Sequence, residues 1–383
     1  MKIVHFGTYS TSEGYPRNSV VAGALKEAGA EVVQCHREAW GDSEARVQGV
    51  TSLFEGIKAV LRLVTAWVPL SWQYLTRTPG HDLVIVGYPG HLDVFCARVL
   101  AALRSKPVVF DAFLSLYEAV VEDRKLVAPD SLKARLLKFL DRWSSMAAHA
   151  VLLDTDEHIR YYRDFLKVKG DRFIRVFVGA EEEFFHPPAQ PPPQNPGETL
   201  FFGSFLPLHG ADVIIRAAAI LKNERDIRLS MIGDGPEWLR CKEIADSSDI
   251  PVNWHRGRVN YQILTDRISR SEICLGIFSG GNKTKRVIPC KVFDIIAMAK
   301  PLITADTPAA REALTHGENA ILVPPGDPQA LAEAILTLHK DTDLRDRISA
   351  GGYKLFRERF SRQAIGKELI EELERRFDGG RKK

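Results

Sequence analysis

Short apolar runs recur along the whole chain, each followed by a stretch with helical spacing, and this alternation is the strongest constraint on the fold. In the first half, Lys2 to Phe6, Glu31 to Gln34, Asp82 to Val86, Pro107 to Phe110, Ala150 to Asp154 and Ile174 to Phe177 read as strands. In the second half, Thr199 to Phe202, Arg228 to Ile232, Cys274 to Phe278, Leu302 to Thr304 and Ile321 to Val323 continue the series. Helices are expected over Ser19 to Ala28, Gly210 to Leu221, Pro236 to Ala245 and Arg362 to Phe377. Strands this short and apolar, separated by helices, belong in parallel sheets covered on both faces.

With 383 residues the chain suits two such domains rather than one. Between Pro187 and Gly197 there are six prolines in eleven residues, a composition suited to a semi-rigid spacer. It divides the chain into a first domain at 1–187, a linker at 188–198, a second domain at 199–360 and a closing helix at 361–383. The fold class is α/β, with two Rossmann-like α/β/α domains facing a central cleft. A formal net charge of +3, from 52 basic and 49 acidic side chains, argues against a nucleic-acid binder, which carries a basic surplus. The five cysteines have no CxxC spacing, so neither a zinc site nor a disulfide framework is expected. No signal peptide and no apolar run of about 18 residues is visible, which points to a cytoplasmic protein.

Three segments of the second half carry chemistry. Ile232-Gly233-Asp234-Gly235-Pro236 stands at a strand-to-helix junction, where glycines let a backbone approach a phosphate and a helix N-terminus supplies amides. A tight packing turn would use the same residues. Gly203-Ser204 through His209-Gly210 forms a second such loop at the first crossover of that domain, the position where open α/β sheets bind ligands. His209 can donate to a phosphate or serve as a turn residue. The third segment holds Lys283, Lys285 and Arg286, followed by a helix from near Pro289 that carries Lys291 and Asp294. Spaced three apart, Lys291 and Asp294 lie on one side of the helix. They suit a diphosphate and a ribose hydroxyl, or an ordinary ion pair.

In this order the three segments resemble the retaining family 4 glycosyltransferases of the GT-B fold, over Phe201 to about Phe360. Lys291-Val-Phe-Asp294 with Ala297 and Pro301 is similar to that family's ribose-binding helix, with aspartate where glutamate is usual. Gly233-Asp234-Gly235-Pro236 is similar to its donor loop, while Glu312 and Asn319 to Gly326 fit its closing elements. Val178-Gly179-Ala180 with Phe185-His-Pro187 resembles the segment that ends the family's first domain. Two departures stand out. Ser204 and His209 replace the arginine and lysine that many members place on the diphosphate, and Arg286 stands where the first acidic residue of the paired-acid motif is expected.

The resemblance implies transfer of a sugar from a nucleotide diphosphate donor, UDP- or GDP-linked, to a hydroxyl of a glycan, lipid-linked or small-molecule acceptor. Retention and independence of metal go with it. Arg286 and Lys291 are assigned to the leaving diphosphate, with help from His209 and the amides near Gly203. In the first half, Gly14, Arg17, His91 and Asp111 fall at positions facing the ligand; Arg17 reaches a phosphate or an acceptor, or is an ordinary surface arginine, and Asp111 is set against the sugar or acceptor hydroxyl, or serves as a helix cap. The apolar, cation-bearing stretches Leu53 to Trp72 and Ser131 to Trp143 suit burial against a sheet or contact with a membrane surface. Two other classes remain open: a sugar-nucleotide epimerase or phosphorylase, and a catalytically silent binding partner. A nicotinamide dehydrogenase ranks last, since the GxGxxG fingerprint is missing.

Overall fold

A computed structural model describes residues 1–9, 16–39 and 53–377, giving the backbone alone for 53–57 and 59. Two compact units emerge: Met1–Phe177 with Arg362–Lys383, and Val178–Ser361. The chain therefore crosses between units at Phe177/Val178, ahead of the proline-rich stretch, which lies wholly in the second unit. Proline content kept that stretch out of a strand but did not detach it. Asn195 N–H donates to the Arg270 carbonyl at 2.8 Å, and Gly197 N–H donates to the Glu272 carboxylate at 2.9 Å.

The first unit is built on a six-stranded parallel sheet in the order β2-β1-β3-β4-β5-β6. Its strands are β1 (Lys2–Gly7), β2 (Glu31–His36), β3 (Leu83–Val86), β4 (Val108–Phe113), β5 (Ala150–Leu153) and β6 (Phe173–Arg175). Its helices are α1 (Pro16–Glu27), α2 (Leu53–Thr76), α3 (Asp93–Ala102), α4 (Leu132–Ala147), α5 (Asp156–Asp164) and the last helix of the chain, α13 (Arg362–Phe377). Right-handed crossovers place α2, α3, α4 and α5 on one face, where Leu70, Val94 and Tyr162 enter a core with Val84 and Phe110. On the other face α1 and α13 bury Val21, Leu25, Leu369 and Leu373 against Ile3 and Ile85. Gly366 is required in α13, because a Cβ there would lie 1.9 Å from the Ala24 carbonyl oxygen of α1.

The second unit repeats the plan, with strand order β12-β11-β10-β7-β8-β9. The strands are β7 (Glu198–Phe202), β8 (Arg228–Gly233), β9 (Val252–Arg256), β10 (Ile273–Leu275), β11 (Leu302–Ala305) and β12 (Ile321–Val323). Between and after them run α6 (Ala211–Ile220), α7 (Trp238–Ser247), α8 (Tyr261–Arg270), α9 (Cys290–Ala297), α10 (Pro308–Ala313), α11 (Pro328–Lys340) and α12 (Thr342–Leu355). Phe201, Met231, Leu275 and Ile303 form the centre of its core. β9 escaped the sequence reading because it is a half-exposed edge strand, Val-Asn-Trp-His-Arg, without an apolar run.

Candidate functional site

In the second unit the loops after β7 and β8 meet backbone to backbone. A Cβ on Gly233 would lie 1.9 Å from the Gly203 carbonyl oxygen, and one on Gly235 would lie 1.8 Å from that of Ser204. Both glycines have positive φ, 133° and 153°, a region that disfavours any other residue. The sequence leaves these glycines open to a phosphate or to a packing turn; what they admit is the neighbouring loop. The Gly203 N–H is likewise committed, to the Ile232 carbonyl at 3.0 Å, and that of Gly235 to the Asp234 side chain at 2.8 Å. These two amides are therefore not donors to a ligand.

The cation beside them is not committed in this way. Lys291, in the first turn of α9, is 6% exposed and its ammonium lies 3.9 Å from the centre of the Phe201 ring. It presses on Gly203, where a Cβ would come within 2.6 Å of Nζ and 3.1 Å of His209 Cε1. Neither Lys291 Nζ nor His209 Nδ1 has a hydrogen-bond partner, although both are buried. Such atoms are rare in folded proteins, since desolvation without a partner costs roughly 1–3 kcal/mol, and more for a charge. Burial drives the Lys291 ammonium well below its usual range, against the pull of Asp294. His209 is driven well below its usual range by burial, then by the charges of Lys291 and Lys283. Asp294 is pushed well above the usual carboxylate range by burial and then by Glu181, with Lys291 opposing.

Helix caps single out the same region. In the second unit α8, α10, α11 and α12 begin on Asn260, Thr307, Asp327 and Asp341, each accepting a first-turn amide through its side chain. The helices that follow the glycine loops and Pro289, namely α6, α7 and α9, have no side-chain cap. An uncapped N-terminus leaves amides and the positive end of the helix dipole to an anion.

The other residues singled out in this unit are placed differently. Gly210, at φ 62°, sits against Phe278 and Ser279, where a Cβ would meet the Ser279 nitrogen at 2.4 Å. Lys283 is buried, and Thr284 beside it donates to the Leu208 carbonyl at 3.2 Å, which fastens this turn to the β7 loop. Lys285 is exposed, and half-exposed Arg286 donates from Nε to the Asn282 carbonyl at 3.2 Å within its own turn. Ser204 and Pro236 are exposed. Asp234 is exposed and pairs with Arg256 at 3.0 Å. No sequence pattern points to Glu181, which accepts the Tyr261 hydroxyl at 2.7 Å and acts electrostatically on Asp294; it lies within three consecutive glutamates that spacing does not distinguish.

In the first unit Arg17 and Asp111, the residues expected to face ligands, hold each other. Arg17 is 2% exposed. Its Nε reaches both Asp111 oxygens at 2.8 and 3.1 Å, Nη2 reaches Oδ1 at 3.0 Å, and Nη1 donates to the Val176 and Phe177 carbonyls at 2.7 and 3.2 Å. Asp111 is not a helix cap either; it lies within β4. Burial raises the Asp111 carboxyl, and Arg17 opposes the rise. His91 is buried, its Nε2 3.1 Å from Asp141 but off hydrogen-bond alignment, and its ring stands edge-on to Phe110. Gly14 lies outside the described residues. All five cysteines are free thiols. Among the described residues no group of His, Cys, Asp or Glu is placed to hold a metal, and no helix is long and apolar enough to cross a membrane.

Two parallel six-stranded α/β sheets on one chain are the architecture of the GT-B fold. Anabaena HepE, crystallised with UDP, superposes with a TM-score of 0.68 at 14% identity, over 98% of this chain and 100% of that one. Residues 197–341 match the model of the family described as "Glycosyl transferases group 1". That match lies within the second unit, and it is there that the chain is similar to the family. The lipopolysaccharide core biosynthesis glycosyltransferase LpsD of Rhizobium meliloti is 29% identical over 178 residues, 45% of this chain and 48% of the relative. The alignment thus spans about half of LpsD's length. The alpha-D-kanosaminyltransferase of Streptomyces kanamyceticus is 23% identical over 85% of this chain and 87% of its own.

Proposed function

We propose that the protein transfers a glycosyl group from a UDP-sugar, held by the second unit, to a hydroxyl of a glycan or lipid-linked acceptor held by the first, with retention at the anomeric carbon. The observation that carries this reading is the buried Lys291 ammonium without a partner, beside an equally unpartnered His209 Nδ1. A diphosphate is a ligand that satisfies both. The chemical difficulty of glycosyl transfer is the negative charge that grows on the departing diphosphate, and preorganised donors in a dry site meet it without reorganising. Lys291 supplies the charge, His209 a neutral donor, and the uncapped starts of α6 and α9 further amides. Asp294, three residues along α9, takes a ribose hydroxyl. Uracil is preferred over other bases because the HepE structure holds UDP.

Since these groups come from the chain, chelation is expected to leave turnover unchanged; activity lost in chelator and restored by magnesium would refute this. Arg286, in place of an acidic residue, supports a second reading, a protein that binds the nucleotide without transfer. Thermal unfolding with UDP, GDP, ADP, dTDP and CMP in parallel tests the proposal. At about a hundred times its dissociation constant UDP should stabilise by about 2.7 kcal/mol, and release of UDP from UDP-sugars then separates transfer from silent binding. Stabilisation by GDP alone would overturn the base, and stabilisation by none of them the donor site.

A further inference from the structure

The amphipathic helices of the first unit are turned in a way that neither core packing nor a solvated surface explains. α2 buries Leu63, Leu70 and Tyr74 against the sheet, yet leaves Val64, Val68 and Trp72 exposed at successive turns, Val68 to 71%. α4 repeats this: Ala134 and Leu137 are buried, while Leu132, Leu136, Phe139 and Trp143 form a solvent-facing stripe, Leu132 at 82%. α3 lies between α2 and α4 and packs on both, with Val99 and Leu103 exposed on its outer side. Three adjacent helices thus present one apolar face. Patches of that extent on a soluble protein mark a contact surface.

Charge identifies the occupant. On α4, helical spacing sets Arg135 and Arg142 along one flank of the stripe and Lys133 along the other. Lys58 and Arg62 lie beside the stripe of α2, and Arg98 is on α3. Among the described side chains of these helices the acids are Asp93 and Asp141, and both are buried and turned inward. Asp93 accepts from Thr8 and from Trp67 Nε1 at 2.7 Å; Asp141 accepts from Ser115 at 2.7 Å and from two amides at 2.9 Å. The outer face is therefore apolar and cationic, with tryptophans among the cations, the composition of a helix lying in a lipid headgroup layer. A second copy of the chain would bring these cations against their own kind across a two-fold axis.

We infer that the face formed by α2, α3 and α4 docks on an anionic lipid bilayer. The inference rests on the first unit alone and stands or falls separately from the donor reading.

Flotation of the full chain with phosphatidylcholine vesicles, with and without phosphatidylglycerol, tests it. Binding should require phosphatidylglycerol and weaken in high salt. K133A/R135A should bind about twenty-five-fold more weakly, at about fivefold per cation. W72S/W143S should lose about tenfold per side chain, with unfolding temperature and UDP binding unchanged in both variants. Equal binding to pure phosphatidylcholine, or no binding to either, would overturn the inference. So would a concentration-dependent dimer in sedimentation that W72S/W143S abolishes, since a second copy would then own the face.

Discussion

Each unit buries a cation close to a carboxylate, Arg17 with Asp111 in the first and Lys291 with Asp294 in the second, and these two pairs behave oppositely. Arg17 in the first unit meets Asp111 through three hydrogen bonds and spends its remaining nitrogen on two carbonyls. Lys291 in the second unit has Asp294 three residues away on the same helix, yet its ammonium, set over the Phe201 ring, has no hydrogen-bond partner. A buried charge that the chain has already answered is architecture. One that the chain leaves unanswered marks where another molecule belongs.

Breaking the satisfied pair is the largest expected effect. R17M leaves Asp111 and two carbonyls buried without their donor, so it should destabilise the protein by about 3–5 kcal/mol, read in urea unfolding, with UDP binding retained wherever the variant is folded. A smaller, opposite kind of damage is expected from G203A. Gly203 has φ 150° and a Cβ there would displace the Lys291 ammonium, so UDP affinity should fall while stability drops by about 1–3 kcal/mol from the strained backbone.

pH sharpens the contrast. In the first unit His158 sits between Asp154 at 2.7 Å and Glu118 at 3.0 Å. Burial would lower it, but the two carboxylates raise it from 6.5 to about 10. A folded value above the unfolded one contributes in full below pH 6.5 and is lost as pH climbs toward 10. Unfolding at a series of pH values should show that decline, and H158Q should flatten it. In the second unit burial lowers Lys291, so an arriving diphosphate raises it again and binding takes up a proton. UDP affinity should therefore fall as pH rises, and calorimetry in buffers of different ionisation heat should register the proton. The smallest effect is A299G: Ala299 holds φ 52°, and glycine there should add roughly 0.5–1 kcal/mol of stability.

Much of this was legible in the residues themselves. Strands such as Leu83–Val86 announce themselves because sheets covered on both faces need unbroken apolar runs. Lys291, Asp294 and His209 stand out in the sequence by type and position, and the structure buries all three. What stayed hidden depends on contacts across the chain. Arg17 and Asp111 lie 94 residues apart, and nothing local says that they close on each other. The glycines at 233 and 235 advertise a close approach without saying of what. Likewise the periodicity of α2 and α4 shows an apolar side, but both helices have two, and only packing decides which one the sheet takes.

The central claim is that the unanswered Lys291 ammonium is the seat of the donor diphosphate. Its most direct test is the affinity of UDP and of uridine for the wild-type protein and for K291M. UDP should bind the wild-type protein far more tightly than uridine does, and K291M should lose about 2–5 kcal/mol of UDP affinity while keeping its affinity for uridine and its folding stability. An unchanged affinity for UDP in a folded K291M would contradict the account and return Lys291 to the core.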